Sequence, residues 1–386
     1  MRILILNNFS YITGGADRHC FDLAQILRAA GHEVAFLSTA APQNIESHGA
    51  FVPLEVTNAT RDTMAYTGRA RVAAHAIWHR SARGAMDRLV REFSPDVAHA
   101  HKVYPHLSVA PILAARECGV PVVQTVHDYE FVSASAVDET GGRIDKTEAR
   151  LQYRALNTAL FQVKKRRHVP AVAEWVSVSR AVAETYAKHG ISSSAVPNFT
   201  LQGTDAVPGF SDRTGVLYVG RLTSAKGVED VIEVARALPE VAVRVAGHGP
   251  LATAVRTAAS KLPNLEDMGM LSQDDVQREL RGSRVCVMPS RWQEPGPLAC
   301  LEAMAAGTPV VAYRAGGLAE YVEQAGGGRV VTDDPSALGD ACSALVQDRL
   351  TWQTMSANAA AAIRDTHSPE AYLASILEIY KRAAKR

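Results

Sequence analysis

Pro289-Ser-Arg-Trp-Gln-Glu294-Pro-Gly-Pro-Leu-Ala-Cys-Leu-Glu302-Ala-Met-Ala-Ala-Gly307-Thr-Pro-Val-Val311 carries the clearest structural signal in the chain. It follows the apolar run Val285–Met288 and leads into another, Pro309–Tyr313, so strand, loop, short helix and strand succeed one another. Pro297 fits a first helical turn, because its ring presets φ and its missing N–H is one a helix start leaves unused. Gly307 and Pro309 then stop the helix. Strands joined by a helix run parallel, and such a sheet is covered by helices on its faces. Glu294 stands just ahead of the helix start, whereas Glu302 lies inside a helix that is otherwise small and apolar. A carboxylate there costs free energy unless paired, and ribose or sugar hydroxyls are natural partners.

The same alternation runs outward in both directions. Upstream lie the apolar runs Gly215–Val219, Val241–Ala246 and Leu265–Gly269, and downstream lies Arg329–Val331, all separated by helix-length segments. The pattern recurs in the first half at Ile3–Leu6, Val34–Ser38, Asp96–Ala100, Val122–Thr125 and Trp175–Val178. Helical stretches such as Asp17–Ala30, ended by Gly31, lie between them. From Asn198 to Arg213 the rhythm breaks, and Gly203, Pro208, Gly209 and Asp212 read as a linker. A chain of 386 residues is also too long for one ordinary core. The expectation is an α/β protein of two Rossmann-like domains facing across a cleft: residues 1–198, a linker at 199–213 and a second domain at 214–368.

Composition narrows the function classes. The charges nearly cancel, at net +1, and 47% of the residues are apolar, so no global basic bias points to nucleic acid. Five cysteines without paired spacing argue against a disulfide scaffold or a structural zinc site. The N-terminal apolar run turns polar at Asn7 and Asn8, too short for a signal segment or membrane span, and a cytoplasmic location is expected.

In open α/β sheets ligands sit beyond the carboxyl ends of strands. After the first strand comes Tyr11-Ile-Thr-Gly14-Gly15-Ala-Asp17, a glycine pair leading into a helix whose free N–H groups face an anion or simply make a tight turn. After Val219 comes Gly220-Arg221-Leu-Thr-Ser-Ala-Lys226-Gly227, with two cations and two glycines at the mouth of the second domain. Arginine grips two phosphate oxygens at once, lysine acts as a mobile point charge, and glycine admits a ligand to the backbone. His127 ends the strand leading into Thr125-Val-His-Asp-Tyr129, where Asp128 is placed to orient it.

Together these motifs resemble a known family, the large retaining glycosyltransferase family 4, or group 1 glycosyltransferases, of bacterial glycan and glycolipid synthesis. Its two-domain architecture, called GT-B, is shared with glycogen synthase. The resemblance rests on Glu294 and Glu302, separated by seven residues, preceded by Pro289-Ser290 and followed by Ala-Met-Ala-Ala-Gly-Thr-Pro-Val-Val. Gly220-Arg221 with Lys226-Gly227, Gly247-His-Gly-Pro250, Gly316-Gly317 with Glu320, and Val196-Pro-Asn198 support it.

The resemblance implies that Arg221 and Lys226 hold a donor diphosphate, Glu302 the ribose hydroxyls and Glu294 a hydroxyl of the transferred sugar. It places Gly220, the Gly247 loop and the backbone near Met270 around the donor nucleotide, Gly14 and Gly15 over the phosphates, and His127 near the reacting sugar. Glu320 reads as a helix cap. Family members carry glycine where Pro297 stands and use its N–H against the sugar; proline has none, so those contacts shift to Gly296 and Leu298. A C-terminal helix over 369–386 is expected to cross back to the first domain.

The implied reaction is transfer of a hexosyl unit, with retention, from a nucleoside diphosphate sugar to a hydroxyl of a glycan, glycolipid or small molecule. No Asp-x-Asp occurs in the chain, so metal-independent transfer without a cofactor is expected. Two basic stretches, Arg61 to Arg88 with Arg69, Arg71, Trp78, Arg80 and Arg83, and Val163-Lys-Lys-Arg-Arg-His168, read as solvated helix faces or as contacts with an anionic membrane. Two other readings stay open: a sugar-nucleotide epimerase of the same fold and an inactive nucleotide-sugar-binding paralogue.

Overall fold

The protein, as a computed structural model, is described over residues 1–53, 66–133, 151–204 and 207–386, with the backbone alone at 66–71 and 151–155. Its chain forms two separate parallel sheets. The first contains β1 (Arg2–Phe9), β2 (Glu33–Ala40), β3 (Gly49–Pro53), β4 (Val97–Ala100), β5 (Val122–Val126), β6 (Glu174–Ser177) and β7 (Ser194–Ala195), in the order β3-β2-β1-β4-β5-β6-β7. The second contains β8 (Val216–Val219), β9 (Val243–Ala246), β10 (Leu265–Gly269), β11 (Val285–Met288), β12 (Val310–Tyr313) and β13 (Gly328–Val331), in the order β10-β9-β8-β11-β12-β13. Each sheet therefore reverses direction beside its first strand, between β1 and β4 and between β8 and β11. A crevice opens at such a switch point, beyond the carboxyl ends of the strands.

Every expected strand is present, and two more appear at the edges of the first sheet. The segment that forms β3, Gly-Ala-Phe-Val-Pro, has no period-two pattern; its place depends on Gly49, at φ +144°, where a Cβ would lie 2.0 Å from the Phe36 carbonyl oxygen. The two-residue β7 is too short to register as a hydrophobic run.

Strands covered on both faces read as continuous apolar runs, as in β11 and β12, all of whose residues are buried. Leu23 and Leu27 of the helix Gly15–Ala29 cover one face of the first sheet. Tyr372, Ile376 and Tyr380 of the helix Pro369–Ala383 pack into the same cluster beside Ile3, Val123 and Val176. The chain thus ends on the first domain.

Arg213, fully buried, fastens the segment leading into β8. Its guanidinium donates to the carbonyls of Pro208, Leu280, Ser283 and Ala306 and to Thr308 Oγ1 at 2.7 Å, and lies 5.1 Å from the Trp352 ring centroid. Among the described residues no carboxylate pairs with it, and burial draws its pKa down to about 10.

The basic stretch at Val163 divides in a way the sequence did not indicate. A π-helical turn over Lys164–His168 turns both ends inward while Lys165, Arg166 and Arg167 stay exposed. Lys164 pairs with Glu130 and sits 4.4 Å from the Tyr104 ring centroid; His168 bonds Tyr104 and Gln124. In the other stretch Arg83 pairs with Glu117, while Arg61 and the side chains of Arg69 and Arg71 lie outside the described residues. Among the described residues no helix is long and apolar enough to cross a membrane.

Candidate functional site

Three loops of the second domain close on one another at the carboxyl ends of β8, β9 and β11. Gly227, at φ +68°, lets the loop after β8 lie against the one after β11, for a Cβ there would sit 2.0 Å from the Pro289 carbonyl oxygen. The backbone N–H groups of Arg291 and Trp292 both donate to the carbonyl of Ala225, which fastens the two loops side by side. Gly247, at φ +150°, brings the loop after β9 equally close to Gly220, whose carbonyl oxygen a Cβ would approach to 1.9 Å. These glycines set loop spacing, a requirement visible only in three dimensions.

That spacing puts Lys226 against Glu294. Lys226 Nζ lies 2.5 Å from Glu294 Oε1, which also accepts from Ser290 Oγ at 2.6 Å, and Glu294 is 5% exposed. A carboxylate this buried is tolerable because it is charge-paired and hydrogen-bonded. Arg221 projects from the same loop, exposed, with no ion pair recorded among the described residues. Met270, just past β10, is 79% exposed beside this mouth.

The helix expected after Glu294 spans Leu298–Ala305. Pro297 differs from expectation by one position: its ψ of 123° is extended, so it caps the helix from outside instead of entering the first turn. The first amides the helix start presents are therefore those of Leu298 and its successors. Gly296 is confined, because a Cβ would lie 2.6 Å from Tyr321 Oη and 3.2 Å from Asn198 Nδ2. Glu302 has a protein partner, Gln273, whose Nε2 donates to Oε1 at 2.8 Å, and burial raises its pKa.

The first domain faces this wall. Gly15 lies opposite Leu298, whose Cδ1 would be 3.8 Å from an added Cβ, while a Cβ on Gly14 would meet nothing within 4 Å. Asp17 shapes the glycine loop, accepting from Asn7 Nδ2 at 2.7 Å and from the Thr13 N–H at 3.0 Å. Tyr129 meets Trp292 across the cleft, with ring centroids 5.8 Å apart.

His127 stands in a histidine cluster. Its Nε2 lies 2.9 Å from His101 Nδ1, the two rings stack, and His19 packs edge-on against His127. Asp128 does not orient it, because its Oδ1 accepts from the Glu130 N–H and its Oδ2 faces Lys102 at 3.9 Å. Burial, then Lys102 and His99, lowers the pKa of His127 to about 3, so the ring is neutral at pH 7. His19, His101 and His127 place nitrogen atoms within 4.8 Å of one another, a spacing open to a transition metal; His101 and His127 already spend one nitrogen each on the other. Sequence reading singled out His127 alone.

Glu320 is a cap, but for another element. Its carboxylate accepts from the N–H groups of Arg180 and Ala181 at 3.0 and 2.9 Å, across the domain boundary, at the start of the helix Arg180–Lys188. Beside it the Tyr321 hydroxyl donates to Val178 O and accepts from the Asn198 N–H, while Asn198 Nδ2 donates to Gly296 O at 2.7 Å. Asn198, where the first domain ends, is thus bonded to the loop ahead of the helix Leu298–Ala305.

Comparison with known proteins agrees with this geometry. Residues 13–200 match the model of Glycosyltransferase Family 4, and residues 205–362 that of Glycosyl transferases group 1. The chain is similar to a glycogen synthase of Mycobacterium tuberculosis, 29% identical over 407 residues that span 92% of each protein. Its fold is similar to that of a sucrose-phosphate synthase from Thermosynechococcus elongatus, with a TM-score of 0.73 at 17% identity over 99% of this chain and 98% of the other. It is also similar to Anabaena HepE in complex with UDP, with a TM-score of 0.67 at 19% identity over 99% and 100% of the two chains. The architecture is GT-B, and the chain belongs to the family 4, group 1 glycosyltransferases.

Proposed function

We propose that the protein transfers a hexosyl unit from a nucleoside diphosphate sugar to an acceptor hydroxyl, with retention of configuration and without a metal. One observation carries this reading: Lys226 and Glu294 are paired at the mouth of the second domain, and the helix just beyond them, which carries Glu302, begins at Leu298 opposite Gly15 of the first domain. Breaking an anomeric bond to a diphosphate builds negative charge on the leaving group, and pre-placed cations stabilise it most where water is excluded. Arg221, which has no counter-ion among the described residues, and Lys226 take that part, helped by the amides at the start of the helix Leu298–Ala305. A UDP complex of a structural neighbour supports the nucleotide donor.

Glu294 is suited to positioning the sugar. A carboxylate already bonded to Lys226 and Ser290 is a weakened nucleophile, which favours same-face attack by the acceptor over a covalent glycosyl intermediate. Neutral His127 offers a hydrogen bond to the sugar without adding positive charge. Donor nucleotide contacts fall to Gly220, the Gly247 loop and Met270, and sugar contacts to Gly296, Pro297 and Leu298 through the groups each can offer. In purified protein, Lys226→Ala or Glu302→Ala is expected to cut nucleoside diphosphate release by orders of magnitude with the fold intact; near-normal release by either variant overturns the assignment.

Contact with an anionic membrane belongs to the same reading of the first domain. A cavity of about 390 Å³ is lined by Ile77, Trp78, Val109 and Val163 and rimmed by Arg166 and Arg167, an apolar floor with cationic edges. Co-sedimentation with anionic liposomes at low salt is expected, and its absence removes this part of the proposal.

A further inference from the structure

A chain of hydrogen bonds crosses the cleft where the two domains meet at Glu302. Arg18, on the helix Gly15–Ala29 of the first domain, donates from Nη2 to Gln273 Oε1 at 3.2 Å. Gln273, the first residue of the second-domain helix Gln273–Gly282, donates from Nε2 to Glu302 Oε1 at 2.8 Å. The glutamine amide is used at both ends, its oxygen toward the cation and its nitrogen toward the anion. Glutamate in its place would repel Glu302, and an apolar residue would break the chain at both bonds.

Glu302 is left with a second oxygen, Oε2, to which no hydrogen bond is recorded among the described residues. A carboxylate has room for about four hydrogen bonds. Gln273 can therefore stay on Oε1 while a ligand diol takes up Oε2, so ligand and protein partner need not compete. Asp22 stands one helical turn beyond Arg18 on the same helix, and Arg18 thus lies between two carboxylates, one from each domain. Both carboxyls are raised by burial, Asp22 to about 6, and both are drawn back by Arg18. Withdrawing the first domain would take that cation away from Glu302.

We infer that Arg18 and Gln273 form an interdomain positioning relay that aims the Glu302 carboxylate at the ribose hydroxyls of the donor, so that the first domain takes part in choosing ribonucleotide over deoxyribonucleotide donors. The inference rests on the donor reading above and adds two residues to it. Neither touches the reacting atoms; both act through Glu302. Occupancy of the ribose site and approach of the first domain are coupled through one glutamine, and such coupling is reciprocal.

The test is binding calorimetry with UDP, ADP and GDP and their 2′-deoxy forms, on the wild-type chain and on Arg18→Met, Gln273→Leu, the double variant and Arg18→Lys. Wild type is expected to bind the ribo form of its preferred diphosphate at least about tenfold more tightly than the deoxy form, the size of one hydrogen bond to a charged group. Arg18→Met and Gln273→Leu are each expected to bring that ratio toward one. The double variant is expected to behave as either single variant does, because both cut the same relay, and Arg18→Lys to restore part of the preference. A general loss of structure would weaken both forms alike and leave the ratio in place. Wild-type binding of a diphosphate with unchanged ratios in both single variants, or with additive effects in the double, overturns the relay alone. Failure of wild type to bind any of the three diphosphates overturns the donor reading and the relay with it.

Discussion

The two walls of the cleft are built by different means. The second-domain wall takes its charged groups from short contiguous stretches, the loop after β8 and the segment from Pro289 to Glu302, and uses glycines at positive φ to press the loops together. The first-domain wall is assembled from residues far apart in the chain: His19 from the helix after β1, His101 just beyond β4 and His127 just beyond β5. One wall presents cations and paired carboxylates; behind the other lie buried, neutral imidazoles held among tyrosines, such as His19 against Tyr372 at 3.0 Å and His99 against Tyr380 at 2.7 Å. The charge needed to receive a diphosphate is thereby concentrated on the domain whose loops are locked in register.

The sharpest way to break that contrast is Lys226→Ala. Turnover is expected to fall about a thousandfold, near the upper end for loss of one donor aimed at developing charge, as read by release of nucleoside diphosphate at saturating donor. The substitution also strips Glu294 of its counter-ion, a change that costs several kcal/mol when the remaining charge is buried. Thermal unfolding of the same variant separates the two effects. A thousandfold loss of turnover at a temperature where the variant is still folded assigns the lysine to the reaction.

Acid should affect the walls unequally. Burial lowers His99, His127 and His168 from 6.5 to about 3, and shifts His19 and His101 in the same direction. Between those values the unfolded chain binds more protons than the folded one, so stability rises with pH through the window and is lost as pH falls below about 6.5. Each such histidine contributes up to about 1.4 kcal/mol per pH unit. In the second domain, among the described residues, burial lowers only one histidine, His367, at the boundary with Asn198. Calorimetry at pH 5 is therefore expected to show the first domain unfolding before the second, and a single transition whose midpoint is the same at pH 5 and pH 7 would erase the contrast.

His127→Ala is expected to cost less than the lysine, about ten- to a hundredfold in turnover, since a neutral ring supplies a hydrogen bond instead of a charge. The same neutrality means that the pH profile of turnover should show no ionisation near 6.5 that disappears in the variant.

The difference between the walls also explains what the sequence disclosed. Every strand that forms the middle of either sheet coincides with one of the short, largely apolar runs of the sequence, and the carboxylate pair of the second wall sits inside a single readable segment. The edge strand β3 was hidden because its existence depends on a glycine fitting under the Phe36 carbonyl, a tertiary condition. The histidine partnership was hidden because it depends on β4 and β5 lying side by side, with Ala98 opposite Val122 and Ala100 opposite Gln124, so that residues just past their ends meet. Glu320 reads in the sequence as a helix cap; only the packing of the helix Gly317–Ala325 against the helix Arg180–Lys188 reveals that the helix it caps is the latter. Local pattern specifies elements, whereas contacts between elements specify partners.

The smallest expected effect on the fold comes from Gly14→Ala, and it discriminates best between the two meanings of a glycine loop. Gly14 has φ of −177°, extended backbone that any residue adopts, and an added Cβ would meet nothing within 4 Å. If the glycine only made a turn, alanine would be neutral or slightly stabilising, by about 0.4–1 kcal/mol through the unfolded state. A loop that closes over phosphates needs the open space itself, and a methyl group there stands where the ligand approaches. The melting temperature of the free protein is therefore expected to hold or rise by a degree or two while the donor KM increases several-fold. Unchanged donor affinity in a protein of unchanged stability would remove Gly14 from the site and leave the first wall with His127 as its contribution to the donor.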